Sequence, residues 1–175
     1  VVAPGTVVSS PRGTRIEVKE SSPERLVLER QLPPGTGKTP EHVHQDGIER
    51  FELLGGEATG SVDGRSRPLS AGDVLEVPVG AKHVHPHTSE SQTATVIHTI
   101  EPRVRFVDVF FASYFEWLRE GKTDRQDEPH LLGVMAVMRV GGGGTWVAGP
   151  PVPLQKGLAQ VLGLVAAMRG YRPTT

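Results

Sequence analysis

The stretch His42-Val43-His44-Gln45-Asp46-Gly47-Ile48-Glu49-Arg50-Phe51-Glu52-Leu53 decides how this 175-residue chain is read. On a β-strand, residues two apart such as His42 and His44 point to one face, about 6.6 Å apart along the backbone, so two imidazoles can converge on one ion. The turn Gln45-Asp46-Gly47-Ile48 lets the next strand return antiparallel beside the first. On that strand Glu49, Phe51 and Leu53 share one face and Arg50 and Glu52 the other, so Glu49 stands on the apolar side. A carboxylate placed there wants a cation, because burying it unpaired is costly.

A second segment runs from Gly72-Asp73-Val74-Leu75 to Pro78, Gly80 and His83. It reads as a strand entered by a glycine turn and ended by Pro78 and Gly80, after which His83 begins a further strand and can offer a third imidazole from across a barrel. Three neutral nitrogens and one carboxylate suit Fe(II), Mn, Ni, Cu or Zn, and leave up to two octahedral positions open, as metal catalysis requires. The chain has no cysteine. That excludes disulfides, thiolate zinc sites, iron–sulfur ligation and a cysteine nucleophile, so any metal must use His, Asp or Glu.

Working outward, short strands are predicted over Thr14–Lys19, Arg25–Gln31, Ile48–Leu54, Glu57–Val62, Asp73–Val77 and Gln92–Ile100, each bounded by Gly, Pro, Ser or Asp. Asp63-Gly64 is the strongest hairpin signal, since both residues tolerate positive φ. Such spacing suggests an antiparallel sandwich or barrel. Near residue 104 the period changes. Six of the nine aromatics lie between Phe106 and Trp117 at helical spacing, predicting a helix that ends near Gly121. A second helix is predicted from Pro129 to about Arg139, and a third over about Leu154–Arg169. Ala159, Gly163 and Ala167, four residues apart, permit close helix–helix approach.

Nineteen basic and twenty acidic residues leave a formal charge of −1. The chain therefore has no overall field to gather phosphates or an anionic membrane, and no nucleic-acid partner is expected. Residues 129–175 hold four cations and no acid. Four charges over that length are sparse, so the helices are expected to pack on the barrel or in a homodimer interface rather than on a membrane. No apolar run approaches the roughly 20 residues of a membrane span, and no basic segment followed by an apolar one opens the chain. A cytoplasmic location is the expectation, with a leader trimmed ahead of Val1 left open.

At this point the residues carry a resemblance. Gly37, His42-Val-His44, Glu49 and Gly56 resemble the first motif of the cupin superfamily, and Gly72, Pro78, Gly80 and His83 the second. Gly37 lies one residue nearer His42 than the usual pattern, and His87 stands where Asn is frequent. The resemblance covers residues 35–87. It implies a mainly β fold, a cupin-type antiparallel jelly-roll barrel over residues 1–104, with a C-terminal α-helical extension over 105–175. It also implies that His42, His44, Glu49 and His83 bind a divalent transition metal. The tail is similar to an extension seen in uncharacterised bacterial cupin-domain proteins, a group without an activity to carry across.

The function expected is that of a metal-dependent oxygenase or isomerase acting on a small organic molecule. The alternatives are a non-catalytic small-ligand-binding module and a helix-mediated assembly protein. No separate general base stands out. His85 and His87, with Pro86 between them, read as rim residues, and His98 and His130 as hydrogen-bonded core histidines. Glu41, Glu52 and Glu76 read as solvated strand faces, and Phe51 and Leu53 as core.

Overall fold

The computed structural model describes residues 2–175. Alternation of apolar and polar side chains makes the first hundred residues into strands β1 (Val7–Ser9), β2 (Arg15–Ser21), β3 (Leu26–Leu32), β4 (His42–His44), β5 (Ile48–Val62), β6 (Arg65–Ser70), β7 (Val74–Val77), β8 (His83–His87) and β9 (Ala94–Glu101). In β3, for example, Leu26, Leu28, Arg30 and Leu32 are buried while the residues between them are not. Helices α1 (Arg105–Arg119), α2 (Leu131–Gly141) and α3 (Val152–Met168) follow, with a short strand β10 (Thr145–Val147) between the last two. Every pairing is antiparallel, in the order β1-β2-β3-β9-β5-β8-β4-β10, with β6 and β7 also on β5. This is the antiparallel jelly roll with C-terminal helices that the sequence predicts.

Two strands predicted separately, Ile48–Leu54 and Glu57–Val62, are one strand. β5 pairs with β7 and β9 through its first half and with β6 and β8 through its second, so it belongs to both facing sheets. The passage between them is a bulge at Leu53–Gly55 followed by Gly56 at φ +78°, where an added Cβ would lie 1.9 Å from the Thr93 carbonyl oxygen. Only glycine allows that approach. The hairpin to β6 turns at Asp63 (φ 48°) and Gly64 (φ 74°), as its two residue types require.

One buried cluster fills the space between the sheets, with Leu32, Phe51, Leu53, Leu75 and Val96. Another joins Val8, Ile16, Leu26, Leu28 and Ile100 to Phe111, Tyr114, Phe115 and Leu118 of α1, so the first helix covers the part of the concave face nearest the N-terminal strands. The loop after α1 is fixed by Asp127, whose carboxylate accepts from Ser10 (2.7 Å), Thr14 (2.6 Å) and Arg12 (3.1 Å). Beside it Glu128 meets Arg30 at 3.4 Å inside the protein. Burial pushes the Glu128 carboxyl up to about 7 despite that guanidinium.

The third helix lays small residues on the second. Ala159, Gly163 and Ala166 are buried there, and an added Cβ at Gly163 would lie 2.8 Å from Cδ of Arg139. Its larger apolar residues Leu158, Val161 and Met168 face outward. None of the helices described is long and apolar enough to cross a membrane.

Candidate metal centre

Glu49 points inward from β5 in the alternating set with Phe51 and Leu53 and is 4% exposed. Its backbone is paired with Val77 on one side and Ile100 on the other, which fixes where the carboxylate stands. His42 and His83 are register partners across β4 and β8, their ring centroids 4.1 Å apart. One oxygen of Glu49, Oε2, lies 3.3 Å from Nε2 of His44, 3.1 Å from Nε2 of His83 and 3.0 Å from Nε2 of His85. The other, Oε1, lies 3.0 Å from Nε2 of His98 on β9. Donor atoms of His42, His44, Glu49, His83 and His85 all fall within 4.8 Å of one another.

The outward ring nitrogens set the tautomers. Nδ1 of His42 is 2.8 Å from the carbonyl of Pro40, and Nδ1 of His83 is 3.1 Å from that of Ala81. A carbonyl can only accept, so each Nδ1 carries a proton, and Nε2 is the nitrogen each ring turns toward the centre. His44 is held from behind by Thr145 of β10, with Nδ1 2.7 Å from Oγ1. Its Nε2, though close to Glu49, lacks hydrogen-bond alignment, and Nδ1 of His85 and of His98 also have no partner among the described residues.

Charge in the cluster is rationed by burial. Burial drives His42 down to about 3, helped by the neighbouring His83. His85 and His98 also lie below the ordinary histidine value because burial outweighs their attraction to Glu49. Burial opposes protonation of His44 too, but there the Glu49 charge wins and the value is raised. For Glu49 itself, burial works against ionisation and is overcome by His85, His44 and His98, so it stays ionised well below the usual carboxylate range. One carboxylate thus faces mostly neutral imidazoles, the protonation state that metal ligands need.

These residues suit a divalent transition metal. Donors bound at about 2.1 Å and at right angles stand about 3.0 Å apart. The contacts of 3.0, 3.1 and 3.3 Å around Oε2 have that spacing. A lone pair of His83 facing a carboxylate oxygen is repulsive unless a proton or a cation lies between them. A cavity of about 20 Å³, room for about one water, reaches His44 and Glu49 beneath Val104, Val107 and Gly144.

Residues 28–100 match the family described as the cupin domain. The chain carries a cupin domain. No curated protein matches the chain. Among solved structures, this chain is similar to the protein TT1209 of Thermus thermophilus at 23% identity, covering 54% of this chain and 88% of that one with a TM-score of 0.48. It is similar to an RmlC-like cupin from Shewanella frigidimarina at 20% identity, covering 57% and 85% with a TM-score of 0.49. It is also similar to the polyketide cyclase RemF of Streptomyces resistomycificus at 20% identity, covering 58% and 70% with a TM-score of 0.45.

All four residues singled out in the sequence, His42, His44, Glu49 and His83, lie in the cluster. Two more join them. His85 is not a rim residue: it is 8% exposed with its ring on Glu49, because the ladder between β5 and β8 shifts register near Pro86 and absorbs the missing N–H. His98 is a hydrogen-bonded buried histidine as expected, but its partner is the central carboxylate. His87 is half-buried, with Nδ1 3.1 Å from the carbonyl of His85. His130 is not a core histidine; it is exposed at the start of α2. Thr145 was not singled out, and a three-residue strand after four glycines gives no periodic signal by which to find it.

Proposed function

We propose that this cupin is a metal-dependent enzyme acting on a small organic molecule, its divalent ion (Fe, Mn, Ni, Cu or Zn) held by His42, His44, Glu49 and His83 with His85 alongside. The observation that carries the reading is the crowding of three imidazole nitrogens within 3.3 Å of one buried carboxylate oxygen. That arrangement is costly without an ion and ordinary around one. When bound, the ion supplies Lewis acidity toward a substrate oxygen for isomerase chemistry, or a place for O₂ and substrate together for oxygenase chemistry. Around it the chain's own residues orient and exclude. His98 holds the far oxygen of Glu49, and Phe51 lies against His98 and His85 with ring centroids 4.3 and 4.8 Å away, forming an apolar wall that keeps water out.

A non-catalytic small-ligand-binding module is the second reading. The proposal also takes the protein to be a cytoplasmic homodimer without a nucleic-acid partner.

Metal analysis of anaerobically purified protein, followed by assays with enols, catechols, diketones and sugars, tests the reading. About one equivalent of metal that is lost in His83→Ala, together with turnover, supports the enzyme. Metal without turnover supports the second reading. Full metal content in His83→Ala, or none in reconstituted wild type, overturns the assigned centre.

A further inference from the structure

A groove of about 350 Å³ opens between the end of α2, Gly142 and Gly143, Trp146 of β10 and the first turns of α3. Its lining is two-sided in chemistry. Met138, Trp146 and Ala159 give it an apolar wall, while Arg139 and Lys156 bring two cations to it. No Asp or Glu follows Glu128 in the chain, so no carboxylate from α2, β10 or α3 neutralises that pair. Lys156 Nζ stands 5.5 Å from the Trp146 ring centroid. Trp146 itself is 7% exposed, and its indole N–H has no acceptor among the described residues. Buried donors are almost always paired, so an unpartnered indole N–H on a residue that lines the groove is unusual.

These features narrow the occupant. A bare inorganic anion would leave the indole and thioether wall uncovered, and a neutral hydrocarbon would leave the cations unused. A small carboxylic acid with an apolar ring uses all of them, and the groove's volume lies in the range of small-molecule sites.

The groove is also wired to the histidine cluster. Trp146 is the register partner of Val43, and Thr145 that of His44. The Thr145 hydroxyl is the group 2.7 Å behind the His44 ring. Trp146 in the groove and Thr145 behind His44 are therefore adjacent residues of one short strand. We propose that this groove is a second binding site, for a small aromatic or alicyclic carboxylate held by Arg139, Lys156 and Trp146, and that its occupancy alters metal affinity through Thr145. The coupling rests on the metal reading of the cluster; the groove does not.

Benzoate is the probe. It is titrated into the full chain while tryptophan fluorescence is followed, with Trp146→Phe used to subtract the Trp117 signal. A saturable change is expected that weakens about tenfold or more in Arg139→Ala/Lys156→Ala, while inorganic phosphate binds at least about tenfold more weakly than benzoate. Saturating benzoate is then expected to change the apparent affinity for Co(II) by about fivefold, and Co(II) to change the benzoate affinity by the same factor. Thr145→Val should abolish that shift and leave benzoate binding intact. No saturable change, or an equal one in the double variant, overturns the groove. Benzoate binding without a Co(II) shift overturns the coupling. Failure to bind Co(II) at all overturns the metal reading, and leaves the fluorescence result to decide the groove on its own.

Discussion

Acidifying the metal-free protein from pH 7 to pH 5 is expected to destabilise it through the histidine cluster. Burial holds His42 at about 3 against an ordinary value of 6.5. Between those two values the unfolded chain binds a proton that the folded chain does not, so stability falls as the pH is lowered through 6.5 toward 3. For His42 alone the loss between pH 7 and pH 5 works out at about 2 kcal/mol. His85 and His98, also held low by burial, act in the same direction. His44, held high by Glu49, acts in the opposite one, since its contribution is present at low pH and fades as the pH rises through its folded value. Urea unfolding after chelation, at the two pH values, measures the sum. Glu128, pushed up to about 7 by burial, gains about 2 kcal/mol over the same interval, so the His42 loss is read as a difference: with a slope of about 2 kcal/mol per molar urea, the wild-type midpoint should drop by about 1 M more than that of His42→Gln. His42→Gln should flatten the dependence by about 2 kcal/mol. An identical pH dependence in wild type and variant would refute the burial argument.

Five substitutions probe the packing. Asp127→Ala strands the hydroxyls of Ser10 and Thr14 and the Arg12 guanidinium, and should cost about 3 kcal/mol in chemical denaturation. Gly163→Val drives a side chain into Arg139 and should cost about 1–3 kcal/mol by thermal unfolding. Gly157→Ala, where an added Cβ meets nothing within 4 Å, should instead be stabilising by up to about 1 kcal/mol. Gly56→Ala places its Cβ against the Thr93 carbonyl and should leave no soluble folded protein on expression, whereas Gly64→Asn, at a turn position open to solvent, should fold normally.

The reach of the sequence differs from residue to residue for physical reasons. The two-residue spacing of His42 and His44 and the alternation from Glu49 to Leu53 are local properties of a strand, and the structure keeps both. His98 was equally legible in principle, since it shares parity with the buried Ala94, Val96 and Ile100 on β9. Isolation in sequence, rather than any lack of pattern, disguised it. His85 was hidden by Pro86, which reads as a strand breaker until a register shift accommodates it. Thr145 and β10 could not be read at all, because three residues show no period and their partner strand lies a hundred residues away. The facing of α3 was also beyond pattern alone. Its apolar residues were legible, but the need of Gly163 and Ala159 for close contact with α2 turns the larger ones outward.

Because β5 is hydrogen-bonded into one sheet before its bulge and into the other after it, the two sheets share one strand and opening either strains the other's ladder. Amide protons at its two ends should therefore exchange with deuterium at one shared, slow rate, making the strand that bears Glu49 the last part of the molecule to open.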